Sequence, residues 1–494
     1  MDCKSLMLAV ALGITGYCYG QSQDEFIFNM SDLTNDVIAG FVEKSDVVED
    51  EAQIVVPADL DLRDFSVSQR VVFNGFSPRT LTAKLGNLRA LINRARTIKA
   101  EVSYLFADVK FDGTSLKILE LGEGKNGGFR SFDAIFAEGR IWEKFWNYIT
   151  SLNLPVFYMG PVPTDDPINK IGISLNEKIA WPTFMQKSGR VAFSMGELEA
   201  REDFKALDQG APRGDGSRIA DYNGILVYKF RDDREPDSLV ELEQFKQAHP
   251  SILVLDCVSR PFAANKHLND ILFRSSADTA QYRPACGLYS KKYHAGLAPQ
   301  IITELGGEYF VIKPLDSGMS NGIIVSSREF LPVDLQRVLG FASATNDPHP
   351  YTFNYRPTET QSYEYWKGDT HRNFLVEAYA PSRIIEVLGK KYDATIRVVF
   401  GLVHDGDQIH VKFFENWWKL PPKALDEYAT LTLKHVSQYR PDLKQLPAAQ
   451  LTLSNEDECG LRVKMADAMA HAYVKMLVLD SNRKRSDMIG SKVE

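Results

Sequence analysis

Cysteine is scarce in this chain: five in 494 residues, at Cys3, Cys18, Cys257, Cys286 and Cys459. No two form a CxxC pair and none has histidines at ligand spacing, which argues against a structural zinc site and a disulfide framework. Long apolar runs are missing as well. The run LMLAVALGIT at residues 6–15 is too short to cross a bilayer as a helix, and no later run reaches spanning length, so stable membrane insertion is not expected. There is no long basic tract, and 57 basic against 65 acidic residues give a net charge of −8. That balance disfavours a nucleic-acid partner. Neither GxSxG nor HExxH occurs, and the nine histidines are scattered, so nothing in the pattern points to a serine or cysteine nucleophile or to a zinc hydrolase.

What is present is an ordinary folded composition, 44% apolar and 25% charged, and a length that suggests about three units at ~150 residues each. Lys4, the short apolar run and Cys18-Tyr19-Gly20 before Gln21 follow the pattern of a secretory signal peptide. A buried N-terminal segment is the alternative, and Asp2 weakens the basic start.

Six segments follow from pattern: the signal-like residues 1–20, an acidic extension over 21–78, a helix-plus-hairpin piece over 79–150, an α/β unit over 151–275, a unit over 276–375 and a last one over 376–494. Leu81, Leu85, Leu88, Ile92 and Ala95 recur at helical spacing. VSYLFADVKF, the turn Asp112-Gly113 and SLKILEL read as a β-hairpin. IWEKFWNYI (141–149) reads as a helix and PVFYMG (155–160) as a buried strand. GILVYKF (224–230), a helix over 236–248 and ILVLDCV (252–258) alternate as in a parallel sheet with crossover helices. YFVIKP (309–314) and NFLVEAYA (373–380) are further strands. ATIRVVFGLV and IHVKFFENWW flank the turn His404-Asp405-Gly406-Asp407. The stretch 341–372 reads as an inserted loop, and 461–478 as a helix before a charged tail. The fold class expected is α/β (α+β).

The most informative stretch is Tyr309-Phe-Val-Ile-Lys313-Pro314, then Leu-Asp316-Ser317-Gly318-Met-Ser320-Asn321-Gly322 and Ile-Ile-Val325. A strand delivers a lysine and a small-residue loop follows. Gly and Ser let backbone N–H groups approach an anion, and the lysine supplies a point charge for a phosphate. An ordinary hairpin with a surface lysine would look the same.

The stretch resembles the lysine strand and glycine-rich loop of the ATP-grasp superfamily, the fold of glutathione synthetase and RimK-like ligases. Three further segments fit the family's order: Asn265-Lys266 at the start of a helix, the hinge-like Leu375-Val376-Glu377-Ala378-Tyr379, and Tyr392-Asp393-Ala394-Thr395-Ile396-Arg397-Val398. The resemblance covers roughly residues 255–420. It implies that Lys266, Lys313, Asp316, Ser317, Gly318, Ser320, Asn321, Gly322 and Glu377 bind ATP.

The family's metal-binding strand pair, an Asp and then Glu-x-Asn, is missing after the last helix. The hairpin at 102–121 resembles it, with Asp108 and Glu120, which implies a circularly permuted ATP-grasp fold with an additional α/β pre-ATP-grasp-like domain. If the loop is Gly113-Thr114-Ser115, Asp112 faces Leu116 and Asp108 faces Glu120. Opposed carboxylates repel unless a cation lies between them. The family's Asn position is Gly122 here, with Glu123 or Asn126 as replacements. Arg397 and Lys419 are the catalytic residues implied, Arg397 at an oxyanion or acyl phosphate and Lys419 at a phosphate. An ion pair of Arg397 with Asp393 is the alternative. Glu415-Asn416 are expected to face substrate. Arg283-Pro284 resembles the entry to the lysine-bearing unit and is expected to be structural.

The resemblance implies an ATP- and Mg2+-dependent ligase joining a small-molecule or peptide carboxylate to an amine through an acyl phosphate. A kinase of the same superfamily and a degenerate nucleotide-binding protein are the other readings. A signal-like start beside ATP use leaves export and cytosol both open.

Overall fold

The computed structural model describes residues 17–19, 24–34, 36–37, 100–124, 140–159, 190–211, 219–228, 242, 244–264, 266–274, 277–315, 317–318, 320–343, 359–369, 371–438 and 450–490. They form a mixed α/β structure built on several sheets, with strands numbered here along the chain. The largest sheet runs β1 (Tyr17–Tyr19), β2 (Glu25–Asn29), β16 (Gln408–Lys419), β15 (Thr395–Asp405), β3 (Glu101–Phe111) and β4 (Leu116–Glu123), every pair antiparallel. A parallel sheet of β6 (Val191–Ala192), β5 (Val156–Met159), β7 (Gly224–Tyr228) and β8 (Ile252–Val254) stands beside it. A third, antiparallel sheet has the order β11 (Ile324–Ser327), β10 (Tyr309–Lys313), β12 (Asn373–Ala378) and β9 (Cys286–Ser290). A small hairpin joins β13 (Ile384–Val387) to β14 (Lys390–Asp393).

The large sheet is sandwiched. Its residues alternate faces with period two, and β3 is buried along its whole length. The long helix Asn455–Gly490 packs on the face that carries Val109 and Phe111, burying Leu461, Met465, Met469, Tyr473 and Met476. On the opposite face Tyr104 stacks between Phe145, from the helix Arg140–Ser151, and Phe414. Further along that face the apolar residues give way to Asp108 and Lys110. Apolar packing on both sides thus leaves a charged patch over one end of three central strands.

The hairpin at 101–123 forms where its sequence indicates, but its tip differs. The turn holds four residues, Asp112 to Ser115, because the Asp112 carboxylate accepts from the Thr114 and Ser115 N–H groups at 2.8 and 2.7 Å. Phe111 therefore faces Leu116, and Asp112 has no strand partner. A register shift beyond Val109 skips Leu119 and brings Asp108 opposite Glu120. The expected loop was one residue short, and the bulge compensates.

Two other expectations are corrected. Within 341–372, residues Glu359–Tyr365 form a helix rather than a loop. Tertiary packing decides this: Tyr363 donates to Asp334 at 2.7 Å, and fully buried Trp366 stacks edge-on against Phe374 and donates to the Gly322 carbonyl at 2.9 Å. The C-terminal helix runs to Gly490, through the residues expected to be a tail. Tyr17–Tyr19, within the signal-like segment, adds as an edge strand to β2. The helix expected over 80–100 lies outside the described residues. Cys257 and Cys286 are buried thiols, whereas Cys459 is disulfide-bonded, a cross-link that the scattered spacing does not signal. Among the described residues no helix is long and apolar enough to cross a membrane.

Gly322 has φ +73°, and a Cβ there would lie 2.5 Å from Pro314 Cγ and 2.6 Å from Tyr365 Cδ1. Gly389 has the same φ in an open turn with nothing within 4 Å. Gly389→Ala should cost only the backbone strain of about 1–2 kcal/mol, and Gly322→Ala clearly more. Thermal melts of the two variants test this; equal losses would contradict the packing described around Gly322.

Candidate functional site

One cavity lies between the charged end of the large sheet and the lysine-bearing third sheet, with Asp108, Glu120, Lys266, Lys313, Glu377 and Lys419 among its walls. The space between these walls is about 640 Å³ when the part open to solvent is counted with it.

Pairing geometry explains the large-sheet side. Asp108 is directly opposite Arg397 on β15, and Arg397 is two residues from Thr395, which faces Lys419 on β16. All of these share a face with Lys110 and Glu120. Arg397 holds Asp108 in a fork, Nε to Oδ1 at 2.7 Å and Nη2 to Oδ2 at 2.8 Å, and Lys419 Nζ reaches Oδ2 at 2.7 Å. Burial pushes the Asp108 carboxyl upward, but the two cations outweigh it and hold the group well below the usual carboxylate range. Burial likewise lowers Lys419 and Lys110 from their ordinary values. Lys110 is 2.8 Å from Asp393 and also donates to the Asp393 and Ala394 carbonyls.

The third sheet supplies the opposite wall. Val311 pairs with Glu377 and Lys313 with Leu375, so Lys313 and Glu377 are diagonal neighbours on one face. Lys313 Nζ donates to Glu377 Oε2 at 2.5 Å. Arg283 Nη2 donates to the other oxygen at 2.7 Å, and Arg283 Nη1 donates to the Ile118 and Leu119 carbonyls, each at 2.7 Å. Those carbonyls flank the bulge of β4. One buried guanidinium therefore fastens the residues that set Glu120 in register to the carboxylate that holds Lys313. Burial raises the Glu377 carboxyl, but Arg283 and Lys313 outweigh it and leave it lowered.

Lys266 opens the helix Lys266–Arg274. Its ammonium donates to the Ser317 carbonyl, is 3.1 Å from Ser317 Oγ and 3.9 Å from Glu120. The loop after β10 is tied to itself and to its surroundings. Asn321 Nδ2 donates to the Gly318 carbonyl at 2.8 Å and Ser320 Oγ to the Ser437 carbonyl at 3.0 Å. Ser320 and Gly322 have positive φ. Asp316 lies outside the described residues.

The residues named from sequence at Asp108, Glu120, Lys266, Lys313, Glu377 and Lys419 thus converge, with Arg397 behind Asp108. Others do not. Glu415 pairs with Lys144 at 2.7 Å, and Asn416, on the sheet's other face, donates to Glu458 of the long helix at 2.7 Å. Neither faces the cavity, which corrects the expectation for both. Arg397 pairs with Asp108 and not with Asp393. At Gly122 a Cβ would lie 2.2 Å from Phe106 Cζ, and Arg397 stacks on that same ring with its Cζ 4.0 Å from the centroid. An asparagine cannot be accommodated there without moving Phe106. Glu123 is on the other face, 3.7 Å from Arg260 Nε, and does not take the position; Asn126 lies outside the described residues. Among the described residues no group of three or more His, Cys, Asp or Glu could hold a metal by itself.

Sequence reading missed His435, which lines the cavity beside Tyr379 and Asp393, and Lys110. The alternation Asp108-x-Lys110 in a buried strand was the available signal for the lysine. A single histidine in a short helix gave none.

No family model matches the chain, and no curated protein matches it in sequence. Among solved structures, a Methylobacillus flagellatus protein provisionally described as a gamma-glutamylcysteine synthetase aligns over 81% of this chain and 94% of its own, at 12% identity and TM-score 0.38.

Asp108, Glu377 and Asp393 all have folded-state pKa values below their ordinary ones. Their contribution to stability is full above the unfolded carboxylate pKa of about 4 and is lost as pH falls through the depressed folded values. Thermal midpoints should hold from about pH 7 to 5 and drop steeply below about pH 4. Asp108→Asn should be destabilised by about 3–5 kcal/mol at neutral pH, since two buried cations lose their partner, with a shallower acid limb. An acid limb as steep as wild type would contradict the pairing. Arg283→Met should cost a similar ~3–5 kcal/mol, checked by the same melts; an unchanged midpoint would remove the fastening role of Arg283.

Proposed function

We propose that the protein is an ATP- and Mg2+-dependent carboxylate–amine ligase of permuted ATP-grasp type. The observation that carries the reading is the convergence of Asp108 and Glu120 with Lys266 and Lys313 on one cavity, although they are far apart along the chain. Lys266 and Lys313 would bind the triphosphate as point charges, with Ser317, Gly318 and Ser320 to Gly322 beside it.

The acidic pair is suited to Mg2+. A carboxylate offers about four lone-pair sites; Asp108 uses three, leaving one on Oδ1. Glu120 is about a third exposed, with a 3.9 Å contact to Lys266. Asp108 and Glu120 would hold the ion, which would supply charge neutralisation for the triphosphate when bound. Lys419, on the cavity wall, would stabilise an acyl phosphate formed when the substrate carboxylate attacks the γ-phosphorus, and Arg397, behind Asp108, would add its positive charge to that side of the site. ADP leaves, and the amine then displaces inorganic phosphate to form the amide. No protein nucleophile is required; positioning and charge neutralisation are the protein's contribution.

A second reading, nucleotide binding without turnover, is favoured by Gly122 and the Phe106 ring that fills the third ligand position.

Calorimetry with MgATP, followed by ADP release over a panel of amino acids and short peptides as carboxylate and amine, separates these. Lys313→Met should weaken MgATP binding about 10-fold or more. Glu120→Gln should keep the fold and lower ADP release on the order of 100-fold. Unchanged ADP release in Glu120→Gln would contradict the metal assignment, and MgATP binding without turnover on any pair would establish the second reading.

A further inference from the structure

Beside the charged groups described above, the cavity walls include Val311, Ile323, Val325, Ala378, Ala380 and Val436, small or branched apolar side chains that would pack against a flat ring and form no ion pair. Val311 lies directly opposite Glu377 on the neighbouring strand, and His435 and Tyr379 line the same cavity.

His435 is held in one orientation. It closes the short helix Leu431–His435, which is pinned to the third sheet where Val325 N–H donates to Thr432 Oγ1 at 3.0 Å. Its Nδ1 is 2.9 Å from Asp393 Oδ2 and 2.9 Å from the Tyr379 hydroxyl, and the two rings meet edge to face. Asp393 is acceptor-only, so Nδ1 carries the proton that it donates, and in the neutral ring Nε2 is left as an acceptor. Lys110 already pairs with Asp393, so that carboxylate is balanced without a charge on the imidazole. Nε2 has no hydrogen-bond partner among the described residues, and the side chain keeps 17% of its surface accessible. A fixed acceptor beside an apolar slot calls for a planar ligand with an N–H donor on its edge.

We infer that His435 is the specificity-determining residue for the nucleobase, its Nε2 accepting a hydrogen bond from the exocyclic 6-amino group of adenine. This rests on the nucleotide reading above and adds to it the choice of base. Hypoxanthine, the base of ITP, and guanine carry a 6-oxo group, an acceptor, at the same place. Two acceptors would then face each other, which disfavours those bases. The Asp393–Lys110 pair acts behind His435 as a positioning unit, because it sets which ring nitrogen carries the proton.

The test is competitive calorimetry of the full chain with the Mg2+ complexes of ATP, ITP, purine riboside triphosphate and inorganic tripolyphosphate, on wild type, His435→Ala and His435→Gln. Wild type should prefer ATP to ITP and to purine riboside triphosphate by about 10- to 100-fold. His435→Ala should bring these ratios close to one and leave tripolyphosphate affinity unchanged. His435→Gln, whose carbonyl can accept the same hydrogen bond, should restore part of the ATP preference. Wild-type protein that binds ATP and ITP equally overturns the inference, and this arm needs no variant to fold. A His435→Ala protein that keeps the wild-type ratio overturns it as well. If wild type binds neither ATP nor tripolyphosphate, the nucleotide reading itself fails, and the base assignment fails with it.

Discussion

A buried cation needs a partner, and this constraint organises the whole site. Lys110, Lys266, Lys313, Lys419 and Arg397 are gathered on or just behind the walls of one cavity, where desolvation and mutual repulsion would each unfold the arrangement if left uncompensated. The compensation is specific. Asp393 meets Lys110, Glu377 meets Lys313, Asp108 meets both Arg397 and Lys419, and the Ser317 carbonyl and Glu120 meet Lys266. Each acid comes from a different element from its base. Among these contacts, those of Lys266 reach both sides of the cavity, the loop after the third sheet's lysine strand at Ser317 and the large sheet at Glu120.

The same constraint gives Arg283 its importance. It has no part in the proposed chemistry, yet it satisfies one oxygen of Glu377 and the two carbonyls beside the β4 bulge. A bulge leaves backbone carbonyls without ladder partners, and a buried carbonyl without a partner is costly. The guanidinium answers both needs, and the bulge in turn puts Glu120 opposite Asp108. A local irregularity in one strand is therefore coupled to the position of a lysine on another sheet.

Much of this was legible in the sequence because strand pairing follows rules of period and turn chemistry. The hairpins at 101–123 and 395–419 and the strands that carry Lys313 and Glu377 follow from alternation and turn residues, whereas the hinge expectation for Glu377 came from the resemblance alone. The facing of Asp108 and Glu120 was reached by way of a shorter loop than the real one, since the Asp112 carboxylate caps a four-residue turn and the skip at Leu119 restores the register. Other features depend on contacts between distant segments. The helix at 359–365 exists because Tyr363 and Trp366 are buried against the third sheet, and local composition points the other way. Asn416 turned to the long helix because it is one residue out of phase with Trp417. His435 was not legible because its significance comes from Asp393 and Tyr379, which only the fold brings to it.

The central claim is that one cavity holds a nucleotide triphosphate between the lysines of the third sheet and the acidic pair of the first. The most direct measurement is a crystal structure of the protein with Mg2+ and a non-hydrolysable ATP analogue. The account predicts phosphate oxygens within hydrogen-bonding distance of the ammonium groups of Lys266 and Lys313, with the metal on Asp108 and Glu120. A nucleotide bound elsewhere, or bound here with its phosphates directed away from those lysines, would contradict it.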